Sequence, residues 1–182
     1  MGTQISRVVT GVDAAGTSVF YSNEALPAHT LAMMPGAQFY KVWGTEGAVR
    51  SPVTDPEPDN HTFFPGQGGT RFGLLTFPPD PAPDAAPAAQ PDESTLNELV
   101  AEAEEKFPGL IGAFEPDAPG MHQTVTVDYA IVLAGELWLE LDDGAEVRLP
   151  TGSCVVQNGA RHAWRNKSNG PATLAYVMVA PA

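Results

Sequence analysis

Positive charge is scarce in this chain. Nine Lys and Arg stand against 22 Asp and Glu, which gives a net charge of −13 over 182 residues and a pI near 4.4. Nucleic acids and anionic membrane surfaces reward basic patches, so neither is an expected partner. Cysteine is nearly absent. The lone Cys154 has no partner in the chain for a disulfide, and its place in the apolar run CVV predicts a small core residue rather than a nucleophile. No apolar run approaches the ~20 residues that cross a bilayer. The first residues, MGTQISRVVTG, lack the basic and long apolar regions of a secretory signal. The expected location is the cytoplasm. Clear helical periodicity is also missing, except in one stretch.

Turn formers and short strand-like runs are abundant instead. The 18 Gly and 18 Pro suit a fold with many turns, and the length suits one structural domain. ISRVVTG and TSVFYS, joined at Asp13-Ala14-Ala15-Gly16, read as a hairpin over 5–22. AQFYKVWGT and TRFGLLTF read as strands over 37–45 and 70–77, separated by a long polar loop. Residues 78–91, rich in Pro and Ala, read as a connector. The one helix is expected at about 93–106, with Leu96, Leu99, Val100, Ala103 and Phe107 on one face. Asp92 to Ser94 suit its start and Pro108-Gly109 its stop. Three segments of one domain follow: N-terminal strands and loops at 1–78, a connector and helix at 79–118 that is a candidate lid, and a core at 119–182.

Most of the chemistry lies in 119–166. His122, Thr124, Thr126, Asp128, Ala130 and Val132 alternate as one face of an extended strand. Gly135 ends that run. Leu137, Leu139 and Leu141 then alternate with polar residues and Trp138, so Trp138 is expected to face away from the interior. Asp143-Gly144 signals a hairpin, Asn158-Gly159 a second turn, and His162, Trp164 and Asn166 share a face beyond it. ATLAYVMVAPA reads as a closing strand in which Tyr176 and Met178 are candidate pocket residues, as are Thr124 and Trp164.

This pattern resembles the double motif of the cupin superfamily. The family's His-x-His, Glu and Gly appear as His122-x-Thr124, Asp128 and Gly135, and its second motif as Gly152, His162 and Asn166. Thr124 replaces the second His, and Asp128 replaces Glu. The resemblance implies an all-β fold, a single jelly-roll β-barrel with an N-terminal strand extension and one helix. It also implies a homodimer, with edge strands that need covering.

On that resemblance, His122, Asp128 and His162 are the candidate catalytic residues and also the candidate ligands of a divalent metal, Fe, Mn, Ni or Zn. Thr124 is a poor ligand, and Asp is one methylene shorter than Glu, so weak or absent metal binding is the counter-expectation. Without metal, the same three side chains remain candidates for acid–base work. The expected function is a small-molecule enzyme acting at a carbonyl or enol-type substrate, as a lyase, dehydratase, decarboxylase or isomerase. One alternative is an Fe(II) dioxygenase of a small aromatic or enol substrate, and another is a non-catalytic ligand-binding module. His29 and His61 are expected to face solvent, and surface roles are expected for Arg71 and Arg161.

Overall fold

The structure is a computed structural model that describes residues 4–49, 51–53, 56–82 and 91–182. Residues 83–90 of the expected connector and 54–55 of the polar loop lie outside the described residues. The chain opens with an antiparallel hairpin of β1 (Ser6–Val12) and β2 (Ser18–Ala25). Asp13 closes its turn: its carboxylate accepts from the amides of Ala15 and Thr17 at 2.9 and 2.8 Å. An exposed carboxylate that satisfies two turn amides is the reason Asp favours such positions.

β3 (Gln38–Thr45) and β4 (Thr70–Phe77) follow as an antiparallel pair. Next comes α1 (Glu93–Lys106), capped where the sequence predicts, with Asp92 accepting from the Thr95 amide at 2.8 Å. Its apolar face is narrower than the pattern suggests. Leu96 is exposed, while Ala103, Phe107 and Leu110 pack with Leu31, Ala37 and Phe39. The C-terminal half then runs through β5 (Val127–Ala134), β6 (Glu136–Glu140), β7 (Glu146–Pro150), β8 (Cys154–Asn158), β9 (Ala163–Arg165) and β10 (Ala172–Val179).

The strands form two main sheets. One holds five strands in the order β3-β4-β10-β5-β8, and the other three in the order β7-β6-β9. Val132 and Leu174 of the larger sheet pack against Leu137, Leu139 and Leu149 of the smaller. This is the expected all-β, jelly-roll class of fold with one helix, although the two sheets do not join into a closed barrel. Gly135 makes the passage from β5 to β6. Its φ is +71°, and a Cβ there would sit 2.7 Å from the Pro171 carbonyl oxygen. Among the described residues, no helix is long and apolar enough to cross a membrane.

Four expectations need correcting. Cys154 is exposed: in β8 the alternation turns Val155 and Gln157 inward, so Cys154 and Val156 face out on an edge strand. Arg71 is buried at 4% exposure, because a guanidinium can be enclosed when its donors are all used. It donates to the carbonyls of Thr62, Thr45 and Thr70 at 2.9, 3.2 and 2.9 Å, to the Thr62 hydroxyl at 2.8 Å, and to Glu46. His29 is half-buried, edge-on to Phe107 at 5.8 Å, rather than solvent-facing. The strand expected from His122 to Val132 is also broken. The chain bends at Val125 and Thr126, leaving Val125 exposed, and β5 starts only at Val127.

Candidate functional site

The site is built on a two-residue bridge. His122 and His162 exchange backbone hydrogen bonds, each amide donating to the other's carbonyl at 2.9 Å. Directly paired residues present their side chains on the same face. The two imidazoles therefore lie together, with ring centroids 4.2 Å apart. Both rings are oriented in the same way. Nδ1 of His122 donates to the Gly120 carbonyl at 3.0 Å, and Nδ1 of His162 to the Ala160 carbonyl at 2.9 Å. A ring that donates through Nδ1 keeps a bare lone pair on Nε2, the form that ligates a metal or accepts a proton.

Burial holds both imidazoles neutral. His162 is pushed down to about 4, by burial first and then by the neighbouring His122 ring. His122 is also lowered by burial, with the Gly120 hydrogen bond and the Asp128 charge working against the shift. Phe114 packs on His122 at 5.2 Å, and Trp164 stands edge-on to His162 at 6.0 Å.

Strand register supplies the opposite wall. Gln157 of β8, Asp128 of β5 and Met178 of β10 are cross-strand partners in one row. Burial raises the Asp128 carboxyl above the usual carboxylate range, opposed by a hydrogen bond from Thr126 and by His122. Its Oδ1 is buried without a partner, and so is Nε2 of Gln157. Tyr176 is paired with Gly73, where an added Cβ would lie 2.5 Å from the phenol oxygen, so glycine makes room for the ring. Burial, and then the Asp128 charge, push that phenol above its ordinary range.

These residues face one cavity of about 440 Å³, within the range that holds a small organic ligand. Of the residues named from the sequence, it brings together His122, Thr124, Asp128, His162, Trp164, Tyr176 and Met178. Asn166 does not line it. That side chain is buried and donates to the carbonyls of Phe77 and Gly170 at 3.1 and 2.8 Å, which ties β4 to the loop before β10. His61 is exposed and also outside the cavity, whereas its neighbours Phe63 and Phe64 line it. Leu110, Ala113 and Phe114, from the segment after α1, close one side. Gln157 also lines the cavity, although it is not among the residues named from the sequence. The alternation of CVVQ, with Val155 inward, is the signal that would have found it.

The donor chemistry here suits a divalent ion in kind: two neutral imidazoles with free Nε2 atoms and an orphaned carboxylate oxygen. Among the described residues, however, no three His, Cys, Asp or Glu side chains form a group that could hold an ion. The imidazole pair is assembled, and Asp128 stands in the same cavity apart from it.

No protein-family model matches the chain. It is 46% identical over 50 residues to oryzines biosynthesis cluster protein J of Aspergillus oryzae, a match that covers 28% of each protein. It is 37% identical over 62 residues to the cupin-domain-containing oxidoreductase virC of Hypocrea virens, covering 32% of each. These matches therefore span less than a third of either relative's length. Among solved structures, the cupin domain of Schizosaccharomyces pombe Cnp3 aligns with 98% of this chain and 89% of that one, at 7% identity and a TM-score of 0.47. In its motif spacing, its two packed sheets and a stretch of 62 residues that is 37% identical to a cupin-domain-containing oxidoreductase, the chain is similar to proteins of the cupin superfamily.

Proposed function

We propose that this protein is a small-molecule enzyme that acts at a carbonyl or enol-type substrate with the help of a divalent metal. The observation that carries the reading is the imidazole pair: two neutral rings, 4.2 Å apart, turned by backbone carbonyls so that both Nε2 atoms are free inside a largely apolar cavity. His122 and His162 are the proposed holders of the ion, with Asp128 of the same cavity as the proposed third ligand. A metal bound there would polarise the substrate's carbonyl oxygen and stabilise the enolate that follows loss of an α-proton.

The chain's own residues supply the rest. Phe114, Trp164 and Met178 exclude water from the reacting face, which strengthens every charge interaction inside. Burial raises the Asp128 carboxyl above the usual carboxylate range, the direction that makes it a better proton acceptor. The test follows α-proton exchange in D2O by proton NMR, over a panel of enolisable ketones and hydroxy ketones. Exchange catalysed by the wild type, and lost with chelator and with His162→Ala, supports the reading. Absence of both exchange and oxygen uptake across the panel and across catechols would leave the ligand-binding alternative.

A second copy of the chain is the proposed partner. Tyr129, Ile131 and Leu133 of β5 and Val156 of β8 form an exposed apolar stripe on the outside of the larger sheet, next to its open edge.

A further inference from the structure

The wall of the cavity says what kind of molecule it admits. Five phenylalanines, Trp164 and Tyr176 surround it, together with prolines and Met178. Flat apolar walls of this kind match a ring-bearing molecule through stacked and edge contacts. Charge narrows the choice. Among the described residues that line the cavity there is no lysine or arginine, whereas Asp80 and Asp128 both face it. Lys41 and Arg71, on the same sheet, are engaged elsewhere: the Lys41 ammonium donates to the Lys106 carbonyl at 2.6 Å, and Arg71 clamps the loop that carries Phe64. With no ion bound, a carboxylate or phosphate would enter this cavity without a counter-charge and would lose its hydration for nothing.

One polar group remains to be used. Gln157 is 5% exposed, lines the cavity, and carries an amide nitrogen with no hydrogen-bond partner. A buried donor without a partner is expensive, and native proteins keep one where something else completes it. The last torsion of a glutamine is broad, so the amide turns toward the cavity at little cost. What it lacks is an acceptor oxygen.

We infer that the ion-free cavity selects uncharged, ring-bearing molecules with a carbonyl oxygen, and that Gln157 is the specificity-determining residue that reads this oxygen. The inference deepens the enzyme reading of the same cavity by naming its substrate class. Gln157 is a neighbour of the proposed ion holder Asp128 across β5 and β8, which sets a carbonyl held there close to the reacting groups.

The test is equilibrium dialysis of the chelator-treated full chain with three matched probes: 2-acetylnaphthalene, 2-isopropenylnaphthalene and 2-naphthoate. The isopropenyl compound has the shape of the ketone without its oxygen. Wild type should bind the ketone about fivefold tighter than the isopropenyl compound, the worth of one net hydrogen bond. Naphthoate should bind at least about tenfold weaker than the ketone. Gln157→Met should bring the ketone and isopropenyl affinities together and leave the isopropenyl compound bound as before. Naphthoate binding as tightly as the ketone would overturn the inference, as would an unchanged ketone preference in the folded Gln157→Met protein. If that variant fails to fold, the wild-type ranking of the three probes still decides. Binding is read without turnover, so selective ketone binding with no α-proton exchange defeats only the enzyme reading. Exchange with unselective binding defeats only this one.

Discussion

Replacing Arg71 by Met should unfasten a wall of the cavity and destabilise the whole domain. The Arg71 side chain is enclosed and spreads its donors over the carbonyls of Thr45, Thr62, Phe64 and Thr70, the Thr62 hydroxyl and Glu46. Methionine keeps the apolar stem and removes every donor. Several carbonyls and one carboxylate lose their partner at once, at roughly 1–3 kcal/mol for each acceptor left buried, and breaking a buried ion pair by removing one side costs about 3–5 kcal/mol. Glu46 is already partly exposed, and the loop carbonyls reach water once the loop is released, so the expected loss is far below the sum of these figures, about 3 kcal/mol. In a domain of this size that corresponds to a fall in Tm of roughly 10 °C. Urea unfolding followed by circular dichroism would measure it. Lysine should not rescue, because a point ammonium cannot reach acceptors arrayed around a planar fork. Phe63 and Phe64 line the cavity through this loop, so Arg71→Met should also weaken ligand binding. A loss below about 1 kcal/mol, with ligand binding intact, would refute the clamp.

Further outcomes follow from the same structure. The His162 ring is held at about 4 against an ordinary 6.5, so its folded form resists protonation more than its unfolded form does. The associated stability is complete above about pH 6.5 and is lost as pH falls toward 4, by at most about 3 kcal/mol. Urea midpoints of chelator-treated wild type should therefore fall more steeply over that window than those of His162→Gln, and parallel curves would contradict it. Leu137, fully buried between the sheets, should cost about 2–5 kcal/mol when changed to Ala, checked by the same unfolding curves. Sedimentation should show a dimer that Ile131→Glu dissociates while the monomer stays folded, and a monomeric wild type would remove the proposed partner.

The sequence made strands and turns legible where the physics is local. Asp13 and Asp92 announce the hairpin turn and the helix start because each satisfies neighbouring amides. The alternation of Leu137 and Leu139 shows the inner face of β6 because its period is that of the strand. His122 and His162 were readable as a pair only through their motif spacing, since forty residues separate them and one backbone bridge joins them. What stayed hidden depends on distant packing. Phe64 reaches the cavity because Arg71 fixes its loop, and nothing near either residue says so. Cys154 shows the converse: an apolar run at a sheet edge has an outside as well as an inside, and only the register of β8 on β5 tells which residues take which.

The central claim is that the His122–His162 pair holds a divalent ion, and elemental mass spectrometry of untagged protein purified without chelator tests it most directly. The account predicts close to one iron, manganese, nickel or zinc per chain in the wild type, lost in His122→Ala and His162→Ala and diminished in Asp128→Ala. A folded wild-type protein that carries no such metal, even after reconstitution, would contradict it.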